Sequence, residues 1–305
     1  MIPVVYGPTG VGKTELLIEV CEELGCEIIS MDSRQIYRYM DIGTAKPTPD
    51  QRSRVKHYML DILDPDGYYN AYLYRKDSMR ILEGILSEGK CAVYVGGTGL
   101  YVDALVKGIF DGVPADENLR RELRRLEESE PGTLRKMLED FDPESAIRIH
   151  PNDLKRTMRA LEVYMKTGRR ISELRKSARG DSRFRIVVLM RERKELYERI
   201  NLRAEEMIRS GLIEETKKLL DMGYSKDLNS MKTIGYKETV EYLEGKHDFD
   251  HYVHVLKRNT RHFARRQIIW SRRYENAIKI NLTFEKDPVG KLIRVLESIL
   301  EEESP

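Results

Sequence analysis

Residues 7–14 read Gly7-Pro8-Thr9-Gly10-Val11-Gly12-Lys13-Thr14, and the expected fold turns on them. The stretch fits G-x-x-x-x-G-K-[ST] in full. Ile2–Tyr6 before it is a short apolar run that reads as a buried strand. After it, Leu16, Leu17, Val20 and Leu24 recur at helical spacing until Gly25 stops them. A strand, a glycine-rich turn and a helix are the context in which this motif holds phosphate rather than merely turning the chain. Its glycines let backbone N–H groups turn inward around an anion, and the helix N-terminus adds partial positive charge. Lys13 is placed to reach terminal phosphoryl oxygens, and the Thr14 hydroxyl to ligate Mg²⁺. The motif specifies two linked phosphates, not a nucleotide; ATP, GTP or an organic diphosphate satisfies the same donors.

Cys26–Ser30 reads as a second strand, Tyr58–Ile62 as a third, Asn70–Glu88 as a long amphipathic helix and Cys91–Val95 as a buried strand broken by Gly96-Gly97. Alternation of this kind predicts an α/β fold, a parallel sheet with helices on both faces. From about Pro114 to Arg183 the segments are helical, and Arg185–Met190 returns to a buried strand. The expected organisation is a core of residues 1–112 and 185–305 carrying an inserted all-helical domain, 113–184. Asp248–Arg273 reads as one long helix, Ala277–Ile280 as a late edge strand and the acidic tail from Glu301 to Pro305 as frayed.

Charged residues make up 34 % of the 305, above the usual quarter, and only Gln35, Gln51 and Gln267 are glutamine, a composition that leans towards a heat-adapted source. The net charge of +2 is unevenly spread. Residues 148–183 hold eleven Lys/Arg against four Asp/Glu, and 257–273 hold seven against none, so a polyanion would meet local basic patches. Cys21, Cys26 and Cys91 lack paired C-x-x-C spacing; the expectation is reduced thiols, no disulfide, no zinc site and a cytoplasmic protein. No leader and no eighteen-residue apolar run is seen, which predicts neither secretion nor a membrane span. His247, His251 and His254 fall on a polar helix and read as surface residues rather than a metal site. Phe263, Ile269 and Trp270 read as core packing.

An NTPase of this class wants an Asp at the end of an apolar strand to help hold Mg²⁺. The strand at Cys91–Val95 runs into Gly96-Gly97-Thr98 and that at Arg185–Met190 into Arg191, so neither supplies it. Asp32, just past Ser30, is the acid at a strand end near the cradle. In a parallel sheet the carboxyl ends of neighbouring strands converge on one crevice, so Asp32, Thr98 and the cradle are expected to share a site. There Asp32 would take a proton from a nucleophile, Thr98 would orient that nucleophile or contact the leaving group, and Lys13 would stabilise charge on a departing diphosphate. Helix capping is the competing role for both Asp32 and Thr98.

These residues sit within longer patterns. Ser30-Met31-Asp32-Ser33-Arg34-Gln35-Ile36-Tyr37, then Met40-Asp41-Ile42-Gly43-Thr44-Ala45-Lys46-Pro47, then Gly96-Gly97-Thr98-Gly99-Leu100-Tyr101 resemble the signatures of tRNA dimethylallyltransferases (tRNA isopentenyltransferases) of bacterial type. The match continues in order through Asn152-Asp153, Arg159 to Tyr164, Tyr197 to Asn201, Ile234-Gly235-Tyr236-Lys237, Asn259-Thr260-Arg261 and Arg265-Arg266-Gln267. Two departures stand out: Gly10-Val11 replaces a common Ala-Ser, and no C-terminal zinc finger is encoded. The resemblance implies a P-loop kinase-like core with a helical insertion that grips the tRNA anticodon stem-loop. It implies transfer of dimethylallyl from dimethylallyl diphosphate to N6 of the adenine beside the anticodon (position 37), with Mg²⁺ as cofactor and pyrophosphate as product.

By that resemblance Asp32 is the general base, Thr98 contacts the reacting groups, and Thr9 to Thr14, with Gly7 and Pro8, bind the diphosphate. Asp32, Ser33, Arg34 and Gln35 contact tRNA, as do Lys155, Arg156, Thr157, Met158 and Arg159, and Lys232, Thr233, Ile234, Gly235, Tyr236 and Lys237. Arg34, Gln35 and Tyr37 have the chemistry to hydrogen-bond and stack on unpaired bases. Arg258, Arg261 and Arg265 recur at helical spacing, and a basic face of this kind can track phosphates. A stacked adenine hides its N6, so the base must be extruded to react. The expected protein is a monomer. The competing readings are an ATP-dependent small-molecule kinase and an RNA-binding NTPase.

Overall fold

A computed structural model describes residues 1–110 and 113–302. The element order is β1 (Ile2–Tyr6), α1 (Lys13–Leu24), β2 (Cys26–Met31), α2 (Pro49–Arg54), β3 (His57–Tyr58), α3 (Ala71–Ser87), β4 (Cys91–Gly96), α4 (Gly99–Val106), α5 (Glu117–Ser129), α6 (Thr133–Phe141), α7 (Pro143–Arg148), α8 (Leu154–Thr167), α9 (Ile171–Ser177), β5 (Phe184–Met190), α10 (Arg193–Arg209), α11 (Leu212–Asp221), α12 (Tyr236–Leu243), α13 (Phe249–Ser271), β6 (Ile278–Asn281) and α14 (Pro288–Glu301).

The strands form one sheet in the order β3-β2-β4-β1-β5-β6, every pair parallel. β1 is central, and Val4, Val5 and Tyr6 are wholly buried, because helices cover both faces and leave no solvent side for alternation. The third strand is shorter than expected: β3 is a two-residue edge pair in which Ile28 and Ile29 oppose His57 and Tyr58. The late strand, β6, lies at the opposite edge. Leu17, Val20 and Ile18 of α1 pack with Leu292, Leu296 and Ile299 of α14 and with Val5, Val93 and Val187 of the sheet. A second cluster joins α10–α13 to the segment after β2, through Ile36, Tyr37, Met40, Ala204, Leu212, Tyr236 and Leu256.

The chain divides into two compact units, Met1–Asp103 with Ser182–Pro305, and Ala104–Asp181. The second unit starts within α4, ahead of the expected residue 113; residues 111–112 lie outside the described ones. Among its described residues this unit contains helices and no strand. Its core is Leu123, Leu134, Leu138, Leu161, Val163 and Ile171. Wholly buried Glu162 accepts from the Asp116 N–H (2.7 Å) and pairs with Arg120 (2.9 Å) and Arg159, so the charge is fully partnered. In the tail, Glu301 closes α14, while residues 303–305 lie outside the described ones.

One expectation is overturned. Cys26 and Cys91 are joined in a disulfide; only Cys21 is free. The two residues are register partners at the starts of β2 and β4, with Cα atoms 4.6 Å apart, although 65 residues separate them in sequence. Spacing along the chain carries no sign of that proximity. Closing a loop of this length restricts the unfolded chain by about 4 kcal/mol in the entropic picture. Urea unfolding should therefore show the oxidised protein more stable than the reduced one by an amount of that order. Coincident curves would mean the bond contributes nothing.

Candidate active site

The carboxyl ends of four neighbouring strands supply the site. β1 leads into the glycine-rich loop, β2 into Asp32, β4 into Gly97-Thr98 and β5 into Arg191. Thr9, Lys13, Thr14, Asp32 and Thr98 all line one cavity of about 360 Å³.

In this chain the loop is fitted closely around glycine at position 10. Gly10 has φ of 80°, and a side chain there would meet Ile200 Cγ1 at 2.7 Å. The first N–H groups of α1 have no intrahelical acceptor and remain for an anion. Lys13 Nζ donates to Gly7 O (2.8 Å) and Pro8 O (3.0 Å), folded back over the cradle. Burial, then the charge of Arg203, lowers its pKa from 10.5 to about 7, against an opposing pull from Asp32.

Three arginines missed in the sequence reading hold three successive loop residues. Arg191 Nε donates to Val11 O (2.9 Å), Arg199 Nε to Gly10 O (3.0 Å) and Arg203 Nη1 to Thr9 Oγ1 (3.1 Å). Arg191 pairs with Glu195, and Arg199 lies 4.0 Å from Glu15. Arg203 has no carboxylate partner within salt-bridge distance among the described residues, and burial lowers its pKa, with Asp32 opposing. A guanidinium desolvated without a counter-ion is ready for an anionic ligand. The available signal was the i, i+4 spacing of Arg199 and Arg203 on a helix following a core strand.

Gln267, on α13, ties two loops together. Its Oε1 accepts from Thr9 N–H (2.8 Å), its Nε2 donates to Gly97 O (2.8 Å), and its carbonyl accepts from Tyr6 Oη (2.9 Å). Gly97 is required because any side chain would run into that amide.

Asp32 does not cap a helix, since a turn and not a helix follows β2. Its Oδ1 accepts from Arg34 N–H (2.8 Å) and, weakly, from Gln35 N–H (3.4 Å). Its Oδ2 has no hydrogen bond from the described residues. Thr98 Oγ1 accepts from Ser33 N–H (3.0 Å), so the hydroxyl braces the Asp32 turn and does not cap α4.

Ser33, Arg34, Gln35, Lys232, Thr233 and Ile234 also line the cavity. Gln35 is tied at both ends, to Ser30 Oγ (3.2 Å) and to the carbonyls of Thr44 (3.3 Å) and Ala45 (3.1 Å). Arg34 Nη1 donates to Asn229 O (2.9 Å). Gly235 and Tyr236 are buried, with the Tyr236 hydroxyl on Glu215, and Lys237 is exposed. In the helical unit, Lys155 and Arg156 are exposed on α8, Thr157 is buried and Met158 packs on the core. Arg159 is bound to Glu162 and to Val113 O (2.7 Å).

Two expectations about aromatics are corrected. Tyr37 is only 2 % exposed, locked in the cluster with Met40 and Leu256, and offers no face to a base. Phe263 and Ile269 are exposed instead of packed in the core; Phe263 lines the cavity beside Arg266, whose guanidinium lies 5.7 Å from its ring centroid. Trp270 packs over Gly99 and donates to Tyr274 Oη (3.1 Å). Among the described residues no three His, Cys, Asp or Glu side chains converge on a point, and no helix is long and apolar enough to cross a membrane.

A family model described as IPP transferase matches residues 35–274. The chain belongs to that family. It is 71 % identical over 301 residues to a tRNA dimethylallyltransferase of Thermotoga maritima, covering 99 % of this chain and 98 % of the relative. A tRNA dimethylallyltransferase of Thermosipho melanesiensis is 53 % identical over 298 residues, covering 97 % and 99 %. The solved tRNA isopentenylpyrophosphate transferase of Bacillus halodurans matches with a TM-score of 0.73 at 35 % identity, covering 98 % of this chain and 96 % of that one. A eukaryotic dimethylallyltransferase acting on tRNA, 24 % identical, matches with a TM-score of 0.82 over 99 % of this chain and 81 % of that one; it bears on the fold alone. These IPP-transferase relatives support a transferase and not the kinase reading.

The Lys13 shift has a measurable consequence. Above its lowered pKa of about 7, Lys13 is a neutral amine until an anion binds. A diphosphate favours the ammonium, so binding should take up close to one proton at about pH 8, and affinity should fall as pH rises through the lowered pKa. Calorimetry of pyrophosphate binding in buffers of different ionisation heat measures this uptake, and Lys13→Met should abolish it.

Proposed function

We propose that this chain transfers a dimethylallyl group from dimethylallyl diphosphate to N6 of the adenine at position 37, next to the anticodon of tRNA, and releases pyrophosphate. The observation that carries the proposal is one cavity in which an unengaged Asp32 carboxylate oxygen shares the walls with an anion cradle backed by Lys13 and Arg203. That arrangement suits an acceptor that gives up a proton and a donor that leaves as an anion.

The diphosphate would sit against the N–H groups of Gly10 to Thr14, with Lys13 released from its loop carbonyls onto phosphoryl oxygen. Mg²⁺ fits the donor set as an ion held by the Thr14 hydroxyl and the diphosphate's own oxygens, and when bound it would neutralise charge on the leaving group. The extruded adenine would enter past Ser33, Arg34 and Lys232, and Phe263, which lines the same cavity, offers an aromatic face for stacking. N6 then attacks C1 of the dimethylallyl group. The C1–O bond breaks with its electron pair going to pyrophosphate, and the N6 proton passes to Asp32 Oδ2. Adenine N6 is a poor nucleophile, so stabilisation of the departing pyrophosphate by Lys13 and Arg203 contributes more than proton removal. Exposed Lys155 and Arg156 on the helical unit supply phosphate contacts to the anticodon stem-loop. The cytoplasm, where tRNA and the donor meet, is the compartment this reading requires.

Incubating the protein with Mg²⁺, dimethylallyl diphosphate and unmodified tRNA, then analysing nucleosides by mass, should reveal prenylated adenosine; consumption of ATP in place of the donor would favour the kinase. Asp32→Ala should slow transfer by about a hundredfold with tRNA affinity nearly unchanged. Undiminished turnover of that variant would remove the base assignment.

A further inference from the structure

The four non-glycine residues with positive φ among the described ones all fall in one segment: Tyr39 (65°), Ala45 (47°), Met59 (63°) and Asp61 (53°). L-residues avoid this region, so the segment is held there by surrounding contacts, and such strain gathers where geometry must be fixed. Within it, Gly43, Thr44, Ala45 and Pro47 line the active-site cavity.

One carboxylate does much of the holding. Glu215, on α11, accepts from three consecutive backbone N–H groups: Asp41 (3.0 Å), Ile42 (2.9 Å) and Gly43 (3.2 Å). It also accepts from the hydroxyl of buried Tyr236 (2.5 Å). The Tyr236 ring lies against Gly43 so closely that no side chain fits there. The contacts continue beyond Tyr236. Glu238 accepts from Gly235 N–H (2.8 Å) and from Asn259 Nδ2 (2.7 Å), on the helix that carries Phe263 and Gln267. On the other side of the loop, wholly buried Lys46 Nζ donates to Tyr37 O (2.8 Å), Asp41 Oδ1 (2.5 Å) and Asp61 Oδ1 (2.6 Å).

We propose that Glu215 and Tyr236 form a clasp that sets the Asp41–Pro47 loop as the acceptor-facing wall of the cavity, making Glu215 a positioning residue for tRNA and not for the diphosphate donor. The side of the cavity concerned follows from the contacts. The clasped loop is bonded to Gln35, in the turn that begins at Asp32, through the Thr44 and Ala45 carbonyls. The cradle is held by a different set, Arg191, Arg199, Arg203 and Gln267, none of which bonds to Glu215 or Tyr236. A carboxylate closing three amides is strong because its charge reinforces each bond. Neutralising it frees the loop without touching the cradle.

The inference rests on the proposed acceptor being tRNA, and its test separates the two. Glu215→Gln should lower kcat/KM for tRNA by about tenfold while KM for dimethylallyl diphosphate stays within about twofold. Tyr236→Phe, which keeps the ring over Gly43, should give a smaller loss, and the double variant should be no worse than Glu215→Gln alone. Hydrogen exchange at the Asp41, Ile42 and Gly43 amides should accelerate in Glu215→Gln. Equal loss towards donor and tRNA, additive effects, or unchanged exchange would overturn the clasp. Should the wild-type protein fail to prenylate tRNA, the functional reading falls, while the exchange comparison still decides whether the clasp exists. If Glu215→Gln does not fold, Tyr236→Phe carries the same kinetic and exchange readouts.

Discussion

Two linked phosphates can leave water only if other donors replace it, and the proposed donor site is organised around that constraint. Backbone N–H groups at the start of α1, the ammonium of Lys13 and the guanidinium of Arg203 would be the donors. A loop that exposes amides to a cavity keeps few hydrogen bonds of its own, so it must be braced from outside. Arg191, Arg199, Arg203 and Gln267 do this, reaching the loop from β5, α10 and α13. The parallel sheet places β1 at its centre, which brings the ends of β2, β4 and β5 alongside and makes the bracing possible.

Charge balance follows from the same constraint. Lys13 and Arg203 are both driven towards their neutral forms by burial, and Asp32 opposes this in both. Two buried cationic groups placed together in this way favour an anionic ligand. In the proposed reaction a diphosphate would meet that preference, and meet it more fully as it departed with additional charge. Stabilisation would thereby be concentrated on the leaving group, where a weak amine nucleophile most needs it.

The cradle, Asp32 and Thr98 were legible in the sequence because each lies immediately after a short apolar strand, and strand ends of a parallel sheet share a crevice. What brackets them was not. Arg203 meets Thr9 across 194 residues, and Gln267 meets it across 258. No local pattern encodes such a contact. The resemblance to tRNA dimethylallyltransferases included Tyr236 and Gln267 without saying what they touch. Tyr37 was misread because a tyrosine suited to stacking on a base is equally suited to a core. Phe263 was misread because α13 buries Ala264, Gln267 and Ser271, a stripe that leaves the neighbouring Phe263 facing the cavity. The Cys26–Cys91 bond depends on strand register alone. In the cytoplasmic enzyme proposed here such a bond would be unusual, although disulfides are common in intracellular proteins of hyperthermophiles, a source towards which the charge-rich, glutamine-poor composition leans.

In the proposed reaction the glycine-lined loop holds the donor's pyrophosphate with the reacting carbon turned towards Asp32. A crystal structure with a non-reactive thio-analogue of dimethylallyl diphosphate tests it most directly. Both phosphates should lie within hydrogen-bond distance of the amides of Gly12 to Thr14, with C1 open on its Asp32 side to an amine at about 3–3.5 Å. A diphosphate bound outside the loop, or a C1 facing away from Asp32, would contradict it.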